Sequence, residues 1–296
     1  MLTVPVKVHE LGNPDLDAAC RAVLEGAKII RHAWEHPPSC FEEKSGHFDL
    51  VSEVDKAADE AIQAVLKNAF PDDFILSEEL SPEISTDVKR GRVWVCDPLD
   101  GTACFLFKVD PYSPTVMLCL LLDGVPTVSV VVQPIVGVWT YAVLGKGAFR
   151  DSSPVYVTKP YGENLKQGWV EMNHYGDQTF ESKWFQRIDK FLRGPSGARL
   201  VSRAPPHSGV ALRLLKSAEI DSEHDRGLQM CVHDHNQVNP KQLPWDIVPI
   251  KLLIEEAGGV YIDSSKGLEE DLDPFNLSGP IIIGHRSTVK YLLGGV

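Results

Sequence analysis

The chain contains no Cys-x-x-Cys pair, and its six cysteines (Cys20, Cys40, Cys96, Cys104, Cys119, Cys231) are scattered. This spacing offers neither a zinc-finger nor a dithiol redox motif, so all six read as small buried apolar residues in a reducing compartment. No apolar run approaches the roughly 18 residues that a membrane span requires. The opening Met1–Lys7 lacks the apolar core of a signal peptide, so a cytoplasmic location is expected. Positive charge is short too: 29 Lys and Arg face 41 Asp and Glu, a net charge of −12. That balance argues against a surface for nucleic-acid polymers or anionic membranes. A small phosphorylated partner stays open, because bound divalent cations would reverse the local field. Internal repeats and low-complexity tracts are also missing.

What is present is an ordinary globular composition, 43% apolar and 24% charged over 296 residues. It suffices for one large core or two smaller ones. Asn13-Pro14 reads as an N-cap with proline at the first helical position, and apolar spacing carries that helix over about 14–34. A polar loop with Lys44 and Asp49-Leu50-Val51 leads to a second helix over about 52–68, with Asp55 in its first turn. A short strand at 74–76 ends at Ser77-Glu78-Glu79, and 81–91 reads as a surface loop. Strand-like runs follow at 93–96, 113–122, 127–133 and 138–143, closed by Gly145–Phe149. Asp123-Gly124 signals a hairpin, with Pro126 just ahead of the next strand. Beyond about 160 the pattern alternates. Strands are expected near 169–172 and 199–201, and a helix over 180–192. Ser208 caps a further expected helix, and 222–243 is polar and irregular. Trp245-Asp246 opens a helix ended by Gly258-Gly259. Strands at 260–262 and 281–283 and a helix capped by Ser287 complete the chain. The expected organisation is residues 1–158, two helices with an antiparallel sheet, and residues 159–296, an α/β unit.

The chemistry concentrates at Asp97-Pro98-Leu99-Asp100-Gly101-Thr102. Two carboxylates three positions apart leave an apolar strand, with Pro98 fixing the backbone and Gly101 permitting a tight turn. Two acids, the Leu99 carbonyl and the amides of Gly101 and Thr102 suit hard cations beside a phosphate. An Asp-rich turn without function is the competing reading. Glu78 also ends a strand-like run. Asp246 starts a helix, where a carboxylate often only caps, and Asp55 has the same simple reading through the helix dipole. Four carboxylates at element ends suit a site with two or three Mg2+ ions if they converge, and spacing alone does not bring them together.

These motifs resemble the inositol monophosphatase family, Mg2+-dependent, lithium-sensitive phosphatases. The superfamily also contains bisphosphate nucleotidases, fructose-bisphosphatases and some histidinol-phosphatases. The carriers are Asp97–Thr102, Trp245-Asp246 before Glu256-Ala257-Gly258-Gly259, Ser77-Glu78-Glu79, Asp49–Asp55 after Lys44, and Gly145–Phe149. Their order and joint occurrence are more specific than any one of them. The resemblance implies a layered αβαβα sandwich of mixed α+β and α/β character. It implies that Glu78, Asp97 and the Leu99 carbonyl hold one metal, and that Asp97, Asp100 and Asp246 hold a second, with Glu78 facing a third. Thr102 and Glu78 would flank the attacking water, with Asp55 orienting the Thr102 hydroxyl. Asp100, Gly101 and Thr102 would meet the phosphate, Gly209 would give substrate a backbone contact, and Lys44 would be a supporting charge. The implied reaction is Mg2+-dependent hydrolysis of a small phosphate monoester. A 3'(2'),5'-bisphosphate nucleotidase and a histidinol-phosphatase are alternatives, as is a non-catalytic metal- or sugar-phosphate-binding regulator. A homodimer is a further expectation. Two departures stand out. Ala103-Cys104-Phe105 replaces a more usual T-x-F, with Cys104 a packing residue. The segment 222–244 is longer than usual, and none of its acids matches the one that contacts inositol. Within it His233 and His235 either line the substrate pocket, bind Zn2+, or belong to a polar surface loop.

Overall fold

The computed structural model describes residues 2–37, 40–46, 49–81, 86–110, 112, 114–159, 165–166, 168–173, 183–204, 208–217, 228–233 and 243–295. Helices α1 (Val6–Glu10) and α2 (Pro14–Glu35) precede a hairpin of β1 (Glu42–Gly46) and β2 (Asp49–Val51). Then come α3 (Glu53–Ala69), β3 (Phe74–Ser77), β4 (Arg92–Asp100) and the short α4 (Thr102–Leu106). A meander follows: β5 (Thr115–Leu122), β6 (Val125–Gln133), β7 (Val138–Val143), β8 (Gly147–Arg150) and β9 (Ser153–Val157). The second half holds β10 (Trp169–Asn173), α5 (Lys183–Leu192), β11 (Leu200–Ala204), a 3-10 turn at Ser208–Leu214, β12 (Leu215–Ser217) and β13 (Leu228–His233). It ends with α6 (Pro244–Glu256), β14 (Val260–Asp263), β15 (Ile281–Gly284) and α7 (Arg286–Gly295).

Two large sheets organise these elements, in the orders β12-β9-β8-β7-β6-β5-β4-β3 and β11-β10-β13-β15-β14. Alternate residues of each strand face opposite sides, and both sides of both sheets are apolar. In the eight-stranded sheet, Trp94, Leu118 and Val130 meet Leu16, Val23 and Ile62 from α2 and α3. The neighbours Val95, Cys119 and Val131 turn the other way, onto Ile247 and Leu253 of α6. The same central core takes Cys231, Tyr261 and Ile283 from the five-stranded sheet. The outer face of that sheet, Met172, Val232 and Ile282, is covered by Phe185 and Ile188 of α5 and Val289 of α7. The result is an αβαβα sandwich. Its middle layer explains why α6 is apolar over most of its surface: a helix held between two sheets keeps only a narrow solvent edge, here Glu255 with Lys251 beside it.

Local chemistry sets the helix starts. The Asn13 side chain accepts the Leu16 amide at 2.9 Å, with Pro14 at the first helical position. Ser52 and Asp55 form a capping box at the start of α3. Several expectations need correction. The polar stretch around Lys44 is a hairpin, with Glu43 opposite Leu50. Strand β4 does not stop at Cys96 but runs to Asp100, its register shifting between Asp97 and Asp100. Pro98 is tolerated there because a bulge needs no ladder amide from it. Pro126 likewise lies inside β6, opposite Leu121 at another register shift. Residues 208–214 form a 3-10 turn followed by β12, which pairs with β9 of the first sheet. The side chain that accepts at the start of α7 is His285, from the Ser287 amide at 3.3 Å. Cys40 is exposed, unlike the other five cysteines.

The Gly145–Phe149 and Glu256–Gly259 motifs meet in space. The Glu256 carboxylate accepts the Gly145 and Gly147 amides, each at 2.8 Å. The Ala257 carbonyl accepts the Val157 amide at 2.9 Å. At Gly259 a Cβ would lie 2.7 Å from Val157 Cγ2 and 3.1 Å from the Gly284 carbonyl oxygen, so close approach demands glycine. These motifs therefore lock the end of α6 to the β7–β8 turn. Glu256→Ala leaves two amides without their charged acceptor and should cost about 2 kcal/mol, read as a lower urea midpoint at unchanged m-value.

Candidate active site

The site is built where β3 and β4 end and α6 begins. Strands β3 and β4 are parallel, with Ser77 opposite Cys96, so the next residues, Glu78 and Asp97, emerge side by side. The Glu78 amide donates to the Cys96 carbonyl at 3.2 Å. Beyond Asp97 the chain bulges. The Leu99 amide turns back to Asp97 Oδ1 at 3.0 Å, an Asx-type turn. Gly101 then takes φ +82, a left-handed conformation that releases the chain into α4. Thr102, the first residue of α4, has its hydroxyl 2.8 Å from Asp55 Oδ1 and 3.0 Å from the Leu99 carbonyl oxygen.

Each acid that has a simple capping explanation turns out to cap and also to face the site. Asp55 Oδ2 accepts the Ser52 amide at 2.8 Å and the Ser52 hydroxyl at 2.6 Å, while its Oδ1 receives Thr102. Asp246 accepts the Leu243 amide through Oδ2 as the third residue of α6. One ligand atom from each of Asp97, Asp100 and Asp246 lies within 4.8 Å of the others. Asp97 is 1% exposed and Asp100 7%. Three like charges this close, two of them buried, require compensation by a cation or by protons. All-oxygen donors of this kind can hold a hard metal ion. Among the described residues this group does not include Glu78, which the strand register brings to the same rim.

Gly209 is held by Asp100: its amide donates to Asp100 Oδ2 at 3.1 Å, and Thr115 Oγ1 donates to the same oxygen at 3.2 Å. The second half thus anchors an acid of the first half. Lys44 belongs to β1, and its side chain lies outside the described residues, as does all of His235. The 222–243 segment is not uniformly irregular. Leu228–His233 is a strand buried at every position, in the interior of the second sheet. His233 ends it, 3% exposed and opposite Asn173. The surface-loop reading is therefore wrong for His233. The apolar run Leu228-Gln229-Met230-Cys231-Val232 was the signal for this strand.

Three further groups near the site carry no signal in the spacing of the sequence. Tyr261 sits on the inner face of β14; burial holds its phenol well above the usual range, with Asp246 and Asp100 adding to the effect. It presents the cluster with a neutral wall. Arg213 donates to Glu171 Oε1 at 3.2 Å and to Asp110 Oδ2 at 3.1 Å, so it joins β10 to the loop after α4. Burial raises the Glu171 carboxyl and Arg213 pulls it back. Asp59 lies one helical turn beyond Asp55. Cys96 is buried, and burial first, then Asp59, Asp97 and Glu78, keep its thiol protonated. Cys104 is also buried, a packing residue.

Known proteins match this architecture along nearly its whole length. "Nus factor SuhB" of Escherichia coli (strain K12) is 26% identical over 296 residues, 96% of each chain. "Inositol monophosphatase 3" of Solanum lycopersicum is 33% identical over 259 residues, 87% of this chain and 88% of that one. The solved Thermotoga maritima IMPase superposes with a TM-score of 0.74 at 23% identity, covering 95% and 96% of the two chains. The model of the inositol monophosphatase family matches residues 13–292, so this chain belongs to the inositol monophosphatase family.

Proposed function

We propose that the protein is a Mg2+-dependent phosphomonoesterase that hydrolyses a small phosphate ester with water. The carrying observation is the convergence of Asp97, Asp100 and Asp246 within 4.8 Å, beside a Thr102 hydroxyl held by Asp55. Asp97, Asp100, Asp246, the Leu99 carbonyl and Glu78 would hold two or three Mg2+ ions. Metal there would neutralise the ester phosphate and make a water more acidic. The rest of the work falls to the chain. With its single hydrogen on Asp55 Oδ1, Thr102 Oγ1 keeps a lone pair to accept a hydrogen bond from the attacking water. Glu78 faces that water from the neighbouring strand end. The Gly101 and Thr102 amides are available to phosphate oxygens after the left-handed turn. Gly209 serves through Asp100, which it holds in place. The alcohol portion would lie toward the inner face of the second sheet, where Arg213, Glu171 and His233 stand. The division near residue 158 then puts most ligands in one part and Asp246 in the other.

A screen of inositol phosphates, sugar phosphates, histidinol phosphate and adenosine 3',5'-bisphosphate tests this. Release should require Mg2+, stop with chelator and fall in millimolar Li+. A second reading has one observation behind it: the SuhB relatives are named for a factor and not for a reaction. On that reading the protein acts by assembly with a macromolecule. It gains if metal binds while none of these esters turns over.

A further inference from the structure

We infer that Asp59 is a positioning residue for Glu78, acting through the turn that carries it. This rests on the reading of Glu78 as a metal ligand. Glu78 follows β3 on a turn over 77–81, closed by the Ser77 amide on the Ser81 carbonyl at 3.1 Å and the Ser81 amide on the Ser77 carbonyl at 3.3 Å. The carboxylate of Asp59, fully buried, fills the inside of that turn. Its Oδ2 accepts the Ser77 hydroxyl and the Leu80 amide, the latter at 3.0 Å. Donors from residues 77 and 80 thus converge on one acid and bracket Glu78 between them.

Asp59 is itself held. Gln63 Nε2 donates to its Oδ1 at 3.1 Å, and Lys67 Nζ donates to Gln63 Oε1 at 2.9 Å. The three residues lie four apart along α3, on one face of the helix. Asp55 lies one turn earlier on the same face and holds Thr102. A single rigid helix therefore sets two parts of the site: Asp55 fixes the Thr102 hydroxyl, and Asp59 fixes the Glu78 turn. A rigid support of this kind matters because a carboxylate ligand on a loop otherwise loses conformational freedom when it binds a cation.

The test measures Mn2+ affinity by paramagnetic resonance on the full chain, with thermal unfolding of the metal-free protein recorded beside it. Asp59→Ala should weaken Mn2+ binding by about 10–100-fold, the usual effect of removing an outer-shell partner. Asp59→Asn, which keeps a carbonyl oxygen for the turn, should lose less. Ser77→Ala removes one donor at little risk to folding and should shift affinity in the same direction. In a Glu78→Gln background, Asp59→Ala should change affinity less than about 2-fold, since residues acting as a unit are not additive. A merely structural role predicts unfolding at lower temperature with unchanged Mn2+ affinity, and that result overturns the inference. So does full additivity with Glu78→Gln. If Glu78→Gln alone leaves affinity unchanged, the metal-ligand reading of Glu78 fails instead. If Asp59→Ala does not fold, Asp59→Asn and Ser77→Ala decide the matter.

Discussion

Asp97→Asn should abolish Mg2+-dependent phosphate release, by about a thousandfold or more, while making the metal-free protein more stable. Both effects follow from the same geometry. Asp97 is 1% exposed and shares a 4.8 Å neighbourhood with Asp100 and Asp246. Two unit charges at that separation repel by about 3 kcal/mol at an effective dielectric of about 20. The amide donors of Leu99, Gly209 and Leu243 on these three carboxylates offset part of it. Removing one charge should therefore return about 1–2 kcal/mol, seen as a thermal midpoint about 2–5 °C higher without metal. Asparagine keeps the oxygen that accepts the Leu99 amide, so the turn survives. In the presence of Mg2+ the order should reverse, because on the proposed function the wild type would gain stability by binding and the variant would not. The loss of activity reflects the several kcal/mol that charge neutralisation contributes in phosphate transfer, at about 1.4 kcal/mol per decade. A variant that is both destabilised without metal and fully active contradicts the assignment.

Thr102→Ala should lower kcat by about 100-fold or more, since a misplaced water alone costs about that much, with KM and metal affinity nearly unchanged. The Thr102 hydroxyl has one hydrogen and two acceptors within reach, Asp55 Oδ1 and the Leu99 carbonyl. Donation to Asp55 leaves the carbonyl available for metal and an oxygen lone pair available for water. Asp55→Asn should mimic the loss. Its amide oxygen would turn to the two Ser52 donors now on Oδ2. Its NH2 would then point at Thr102 Oγ1 and occupy the lone pair the water needs. Thr102→Ser should keep most of the activity, and the Thr102→Ala/Asp55→Asn double variant should be no worse than either single one. Equal losses in kcat and metal affinity would place Thr102 in the binding of metal rather than in orienting water.

The legible parts of this protein are those where local chemistry and tertiary role coincide. Asn13-Pro14 caps α2 because of its own side chain and ring, whatever lies around it. Trp245-Asp246 and Gly258-Gly259 mark the two ends of α6 by their own chemistry, and the helix runs Pro244–Glu256 between them. Asp97–Thr102 was visible as a cluster of oxygen donors before any partner was placed. The sequence was less informative where one residue acts on another far away. Glu256 is part of a recognisable motif, yet its two amide partners lie 111 and 109 residues earlier. Asp59 reads as an ordinary polar position on α3, since its partners Ser77 and Leu80 come from a different element. Strand β13 was hidden by its polar flanks, and Pro126 was kept out of β6 because a bulge cannot be read from one strand alone. Cys40 shows the converse error, a residue placed inside by type alone.

The most direct test of the metal-centre claim is a calorimetric titration of Mg2+ into chelator-treated wild type and Asp97→Asn. The account predicts saturable binding to the wild type that is lost in the variant, with the fold of both unchanged by circular dichroism. Equal binding by the two proteins, or none by the wild type, would contradict it.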